Sequence, residues 1–268
     1  MRTLDAKHFL LQLTLDGGKV PSFKEYPFSL PVVTTLETID FHPQVTFLIG
    51  ENGSGKSTLL EAIAVSMGLN AEGGSRNFHF ATRRSHSPLH KFLLLRRGLK
   101  RPSTSYFLRA ESYFNLATEI ERRDRAFSKD PFKIIHTYGN RPLHEQSHGE
   151  SFFALFENRF YANGLYLLDE PEAALSPSRQ IQFLSLLHDH VKAGSQFLIA
   201  THSPIIMAYP SAWIYLLGDG AMRRVEYKQT EHFKIAHNFL ARPEKMLAEL
   251  LKDPPDLFNQ DGATKSNE

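Results

Sequence analysis

An α/β fold is predicted for this chain, with a parallel core sheet, an antiparallel β lobe and a small helical lobe, and three observations carry that expectation. The runs Val45–Ile49, Leu165–Leu168 and Gln196–Ala200 are apolar without polar alternation, which suits strands covered on both faces, as in parallel sheets. The first run stops at a glycine-bearing loop, and Lys56 to Met67 then reads as a helix ending at Gly68. Between the second and third, Ser176-Pro177 supplies an N-cap and a first-turn proline. Ile181, Leu184, Leu187 and Val191 follow at helical spacing, and Gly194 closes the helix. Strand–helix–strand units result.

The remaining elements are placed in the same way. Residues 1–45 and the segment Phe78 to Phe107 are broken by proline, glycine and short β-rich pieces, and are expected to form antiparallel strands flanking the parallel core. Helices are expected at Tyr113–Arg125, Glu150–Tyr161 and Pro243–Leu251, and fraying from Asp253 onward. No internal repeat or low-complexity tract interrupts the chain. The expectation is one domain over residues 1–252, with a helical lobe at about 112–162 inserted in the core and a flexible tail at 253–268.

Composition narrows the class. Of 268 residues 41% are hydrophobic and 22% charged, close to ordinary globular chains, which excludes wholesale disorder, collagen and coiled-coil rods. The absence of cysteine excludes disulfides, thiolate zinc sites and cysteine nucleophiles. No stretch has signal-peptide or membrane-span character, so a cytoplasmic location is expected. Net charge is only +2, yet Gly73 to Arg109 contains no acid and nine basic residues. These are Arg76, Arg83, Arg84, Lys91, Arg96, Arg97, Lys100, Arg101 and Arg109, with aromatics interleaved. Such a window fits the phosphate backbone of a nucleic acid, a solvated face or a protein partner.

The chemistry concentrates in a few motifs. Gly50-Glu51-Asn52-Gly53-Ser54-Gly55-Lys56-Ser57-Thr58 matches GxxxxGKS. Its glycines let successive backbone N–H groups converge on phosphate oxygens, Lys56 reaches the β/γ-phosphates, and the Ser57 hydroxyl is a Mg²⁺ ligand. The positive end of the following helix faces the same anion. A nucleoside triphosphate, ATP with Mg²⁺, is the implied ligand. Leu165–Pro171 ends a buried run in two acids: Asp169 is placed to hold Mg²⁺, and Glu170 to polarise a water in line with the γ-phosphorus. A third strand ends in Ala200-Thr-His-Ser203, where His202 is a candidate to contact the γ-phosphate or orient water.

Taken in order, GENGSGKST, SHGES, LYLLDEPEAALS and ATHS resemble the motif series of the ATP-binding-cassette (ABC) ATPase superfamily of P-loop NTPases, over about residues 45–205. Stand-alone ATPases related to chromosome-maintenance and double-strand-break-repair ATPases are the nearest likeness. The resemblance implies a homodimer that sandwiches two ATP molecules, the phosphate loop of one protomer facing the signature of the other. That signature corresponds to Gln146-Ser147-His148-Gly149-Glu150, in which Ser147 and Gly149 keep the family pattern while Gln146 and His148 depart from it. Ser147-x-x-Glu150 is also an ordinary capping box. The family's metal-proximal glutamine, at the end of a core strand, is missing, since no Gln lies between Thr58 and Glu145; Glu111, after the strand Ser105–Ala110, takes its approximate place as a metal ligand. Ser176 stands where many relatives carry Asp.

Other features are less decisive. Tyr26 or Phe28 is available to stack on adenine, or to fill the core. His86/His90 and His188/His190 lack a completing carboxylate pattern and are read as structural or solvent-facing. Fewer than ninety residues separate Thr58 from Ser147, too few for the long coiled coil of chromosome-maintenance relatives. ATP hydrolysis coupled to action on nucleic acid or on a defence or repair partner is the expected function. An ATPase subunit of a membrane transporter and a nucleotide-gated binding module are the alternatives.

Overall fold

A computed structural model describes residues 8–75, 87–109, 148–218 and 220–251. By its contacts the chain divides into two compact units, Met1–Glu226 and Tyr227–Glu268. The expected helix Tyr113–Arg125, most of the helical lobe, Ser147, Glu111, Arg83, Arg84 and the 253–268 tail lie outside the described residues.

The first unit holds two sheets. Strands β1 (Leu10–Leu15), β2 (Thr38–Asp40) and β5 (Leu93–Arg97) form an antiparallel sheet in the order β2-β1-β5. The larger sheet contains β3 (Val45–Gly50), β4 (Gly74–Ser75), β6 (Thr104–Arg109), β7 (Gly164–Asp169), β8 (Gln196–Ala200), β9 (Trp213–Gly218) and β10 (Ala221–Val225). Its order is β10-β9-β3-β8-β7-β6-β4. Strands β9, β3, β8, β7 and β6 run parallel, and β10 and β4 are antiparallel edges. The three apolar runs thus occupy the centre, and every residue of β3, β7 and β8 is buried.

Strand β6 corrects one expectation. The sequence places Phe78–Phe107 among the flanking antiparallel strands while also reading Ser105–Ala110 as the strand that leads to Glu111, and β6 pairs parallel with β7. Its Tyr106-Phe107-Leu108 core is almost fully buried, so the apolar triplet outweighs the polar residues around it. Only β5 from that segment joins the antiparallel sheet among the described residues.

Six α-helices are described: α1 (Pro31–Thr34), α2 (Lys56–Ser66), α3 (His148–Arg159), α4 (Pro177–Lys192), α5 (Glu231–Ala241) and α6 (Pro243–Leu251). Helix α2 ends as expected, with Gly68 at a positive φ of 79°. Leu59, Leu60 and Ile63 pack in one cluster with Leu10, Leu13 and Leu15 of β1 and with Leu48, Leu167 and Leu198 of the parallel sheet. Helix α2 is therefore buried between the two sheets. A second, aromatic layer joins α3 and α4 to the parallel sheet: Phe160 stacks on Tyr166 at 4.0 Å, and Phe156 meets Phe183 edge-on at 5.2 Å. In α4 Ser176 caps Arg179 N–H, but the buried face is Phe183, Leu187 and Val191, while the expected Ile181 is 62% exposed. Both stripes satisfy helical spacing, and the aromatic layer selects the one carrying Phe183.

Gln196 ties the two sheets together. Its buried side chain accepts from the N–H groups of Phe9 and Leu10 at 3.0 and 2.9 Å, and donates to Leu10 O and His42 O at 2.8 and 2.9 Å. All the amide's polar atoms are satisfied where no water can substitute.

The second unit contains α5 and α6. Thr230 caps α5, its Oγ1 accepting from Phe233 N–H at 3.2 Å. Helix α6 begins at a proline, as expected.

Candidate active site

The carboxyl ends of β3, β7, β8 and β6 converge on one place, the position where open α/β sheets bind ligands. Buried β3 delivers the chain into the loop Gly50–Thr58, and glycine is required there for two reasons. Gly53 and Gly55 adopt positive φ of 79° and 95°, and a Cβ on Gly50 would collide with the backbone carbonyl of Leu217. The loop then enters α2 at Lys56.

Lys56 is 4% exposed, and its Nζ donates to Gly50 O at 2.8 Å and Glu51 O at 3.0 Å. The ammonium thus folds back over the loop. Burial pushes it below the usual lysine range, against the opposing pull of Glu170, Asp169, Glu51 and Glu172. A buried ammonium folded over the carbonyls of a glycine-rich loop is an anion-binding arrangement.

Ser57 Oγ donates to Asp169 Oδ1 at 2.9 Å. One hydroxyl and one carboxylate oxygen side by side are hard donors that suit Mg²⁺, an ion that keeps several waters and takes its other ligands from phosphate. Among the described residues no group of three or more His, Cys, Asp or Glu is placed to hold a metal ion.

Glu170 follows Asp169 in a left-handed conformation, φ 50° and ψ 54°, with its N–H bonded to Ala200 O at 2.9 Å. For a non-glycine residue this conformation costs on the order of 1 kcal/mol or more and is typical of functional sites. Its Oε1 lies 3.7 Å from His202 Nε2. The backbone N–H of His202 donates to Glu172 Oε1, and burial raises the Glu172 carboxyl above its ordinary value, with hydrogen bonds opposing. Ser203 Oγ in turn donates to Gln180 Oε1 at 2.6 Å, linking the end of β8 to α4.

The other expected residues fall out unequally. Tyr26 is 66% exposed with its hydroxyl 3.5 Å from Thr58 Oγ1, beside the phosphate loop. Phe28 is buried and packs edge-on against Phe92 at 4.9 Å, so of the two only Tyr26 is available to a base. Gly149 lies in the first turn of α3, where a Cβ would stand 3.4 Å from Ala174 O. Of the cationic window, Arg96, Arg97, Lys100 and Arg101 are exposed, although Arg97 donates to Ser66 O at 2.8 Å and Lys100 to Asn163 Oδ1 at 2.6 Å.

Arg109 is different. Counted in the cationic window by sequence, it lies inside the site at the end of β6, in register with Asp169 on β7. Its Nη1 is 2.7 Å from Glu61 Oε2 and its Nε 3.6 Å from Asp169 Oδ2. Glu61, on α2, also accepts from Ser87 N–H at 3.1 Å. Glu61, Glu172 and the inward role of Arg109 are not evident from the sequence, and a charged residue at an otherwise apolar strand end was the available signal for Arg109.

A family match covers part of the chain. Residues 28–137 match the AAA domain family, a span that includes the phosphate loop, Glu61 and Arg109. No curated protein matches the chain significantly. Among solved structures, it is similar to an SMC head domain from Thermotoga maritima at 20% identity and a TM-score of 0.43, covering 81% of this chain and 99% of that one. It is also similar to a metal-chelate type ABC transporter in an inward-facing conformation, at 19% identity and a TM-score of 0.45, covering 75% and 81%. A third is an SMC head bound to the C-terminal winged-helix domain of ScpA, at 15% identity and a TM-score of 0.41, covering 70% and 91%. Among the described residues no helix is long and apolar enough to cross a membrane.

Proposed function

We propose that the protein binds ATP with Mg²⁺ and hydrolyses it within an ATP-sandwiched homodimer, and that turnover drives action on nucleic acid or on a defence or repair partner. The observation that carries this reading is the meeting of three motifs, remote in sequence, at one sheet edge. Lys56 is buried in the loop, Ser57 touches Asp169, and Glu170 faces His202.

In this reading the loop N–H groups and the α2 N-terminus hold the phosphates, and Lys56 exchanges its two carbonyl partners for phosphate oxygens. Ser57 and Asp169 hold Mg²⁺, whose charge, when bound, offsets that of the phosphates. Glu170 accepts a proton from the attacking water, and His202 Nε2, close to the same carboxylate, orients that water or the γ-phosphate. Tyr26 stacks on the base. Ser147 and Gly149 of the second protomer complete the site, so an isolated protomer turns over slowly. Glu111 is a further candidate near the metal.

For the output, the exposed Arg96, Arg97, Lys100 and Arg101, with Arg83 and Arg84 from the same window, support a phosphate-backbone contact, which is salt-sensitive and indifferent to base sequence. ATP turnover measured at low and moderate salt, with and without duplex and single-stranded DNA, tests it. Salt-sensitive stimulation is expected, and turnover indifferent to DNA would contradict the nucleic-acid contact and favour a protein partner.

A further inference from the structure

The site holds an internal cation that the nucleotide chemistry does not explain. Strands β6 and β7 are parallel neighbours, and Arg109 and Asp169 are paired positions at their carboxyl ends. Their side chains therefore share one face of the sheet. Arg109 leans between two carboxylates: Nη1 is 2.7 Å from Glu61 on α2, and Nε is 3.6 Å from Asp169. The side chains of Glu61 and Asp169 are only 11% and 7% exposed, and that of Arg109 only 20%. Two largely buried carboxylates this close are stable together only with positive charge between them. Arg109 supplies part of that charge, Lys56 being the other cation near Asp169, and it does so on the side opposite to the Ser57 contact: Ser57 uses Oδ1 and Arg109 approaches Oδ2.

We propose that Arg109 is a positioning residue that acts as the resident counter-cation of the metal site. It balances Asp169 while the site is without metal, and competes with Mg²⁺ for that carboxylate. Glu61 is the alternative partner that takes Arg109 when the divalent ion arrives. The geometry suits the exchange. The Glu61 contact is already the shorter of the two, and a small rotation of the guanidinium lengthens one ion pair while keeping the other. The anchor is firm, because Glu61 is also fixed by Ser87 N–H at 3.1 Å. A dication beside Asp169 repels the guanidinium, and that repulsion is strong at short range in a partly buried site. The metal requirement for nucleotide binding is thus set by the Glu61–Arg109–Asp169 triad as well as by the ligands themselves.

This inference rests on the reading of Asp169 as the metal carboxylate, and the test separates the two. A fluorescent ATP analogue is titrated onto the full-length protein at a series of Mg²⁺ concentrations, and onto a parallel series with Mn²⁺ followed by electron paramagnetic resonance. Arg109→Met removes the competitor, and is expected to lower the metal concentration for half-maximal nucleotide binding about fivefold, the effect of losing an ion pair of modest strength. Glu61→Gln keeps a hydrogen-bond acceptor for Ser87 but frees Arg109 to favour Asp169, and is expected to raise the requirement. Arg109→Lys restores the charge and is expected to return it toward the wild-type value. A purely structural Arg109 would change thermal stability in these variants without opposite shifts in metal requirement. If Arg109→Met folds poorly, the Glu61→Gln shift still decides. A metal requirement unchanged in both variants, or shifted in the same direction, overturns the proposal while leaving the metal role of Asp169 intact. Wild-type nucleotide and Mn²⁺ binding without dependence on Asp169, read from Asp169→Asn, overturns both.

Discussion

The two halves of the active site are built differently. The phosphate-loop half is assembled by neighbours in sequence: Gly50 to Thr58 form one loop and helix start, and Lys56 bonds to carbonyls only five and six residues away. The β6 half is assembled by topology, since Arg109 meets Glu61 across 48 positions and reaches Asp169 through strand pairing. A local motif carries its own geometry, whereas a network across strands depends on the whole sheet being in register. The first half should fail by losing chemistry, and the second by losing stability or tuning.

The largest expected effect belongs to the first half. Glu170→Gln keeps size and hydrogen bonding but removes the proton acceptor, so ATP turnover should fall by about 10²–10⁴-fold while nucleotide binding persists and an ATP-dependent dimer accumulates. Phosphate release together with light scattering checks both, and a variant that remains monomeric in saturating ATP would contradict the sandwich.

Assembly by topology is tested next outside the site, by Gln196→Leu at the start of β8. That substitution leaves two N–H and two C=O groups between the sheets without partners, at a cost of about 3–4 kcal/mol of unfolding free energy. Denaturant unfolding measures it, and a loss below about 1 kcal/mol would mean that Gln196 does not tie the sheets. Lys56→Ala removes the charge-assisted contacts to phosphate and should weaken ATP binding about 100-fold, measurable by calorimetry; unchanged affinity would contradict the phosphate-loop assignment.

The smallest effect sharpens the comparison through pH. Burial raises the Glu172 carboxyl above its ordinary value, so the fold holds that proton more tightly than the unfolded chain does. Its stabilising contribution is complete below the ordinary value and is lost as pH climbs through the raised one. Glu172→Gln keeps an acceptor for His202 N–H and removes the titration. It should raise the melting temperature by about 2–4 °C near pH 7 and change it little at pH 4. An equal shift at both pH values would mean that the charge of Glu172 is not what costs stability.

How much was legible follows the same division. Strands β3, β7 and β8 were readable because burial on both faces makes them continuous apolar runs, and α2 because a glycine loop and Gly68 bracket it. The phosphate loop and the acids after β7 were readable because their chemistry needs fixed spacing. The parallel pairing of β6 is not readable because its apolar triplet is short and set among basic and polar residues, and Ile181 fits the apolar stripe because two stripes of α4 share the same period. Glu61, Glu172 and Arg109 acquire their roles only when α2, β7, β8 and β6 come together. No spacing rule encodes such a meeting.

The most direct measurement is phosphate release from ATP by the purified full-length protein, with Mg²⁺ and with a chelator, beside Lys56→Ala and Glu170→Gln. Metal-dependent release by the wild type, lost in both variants, is the predicted result. Release no greater than that of Lys56→Ala would contradict an ATP-hydrolysing site at the ends of β3, β7 and β8.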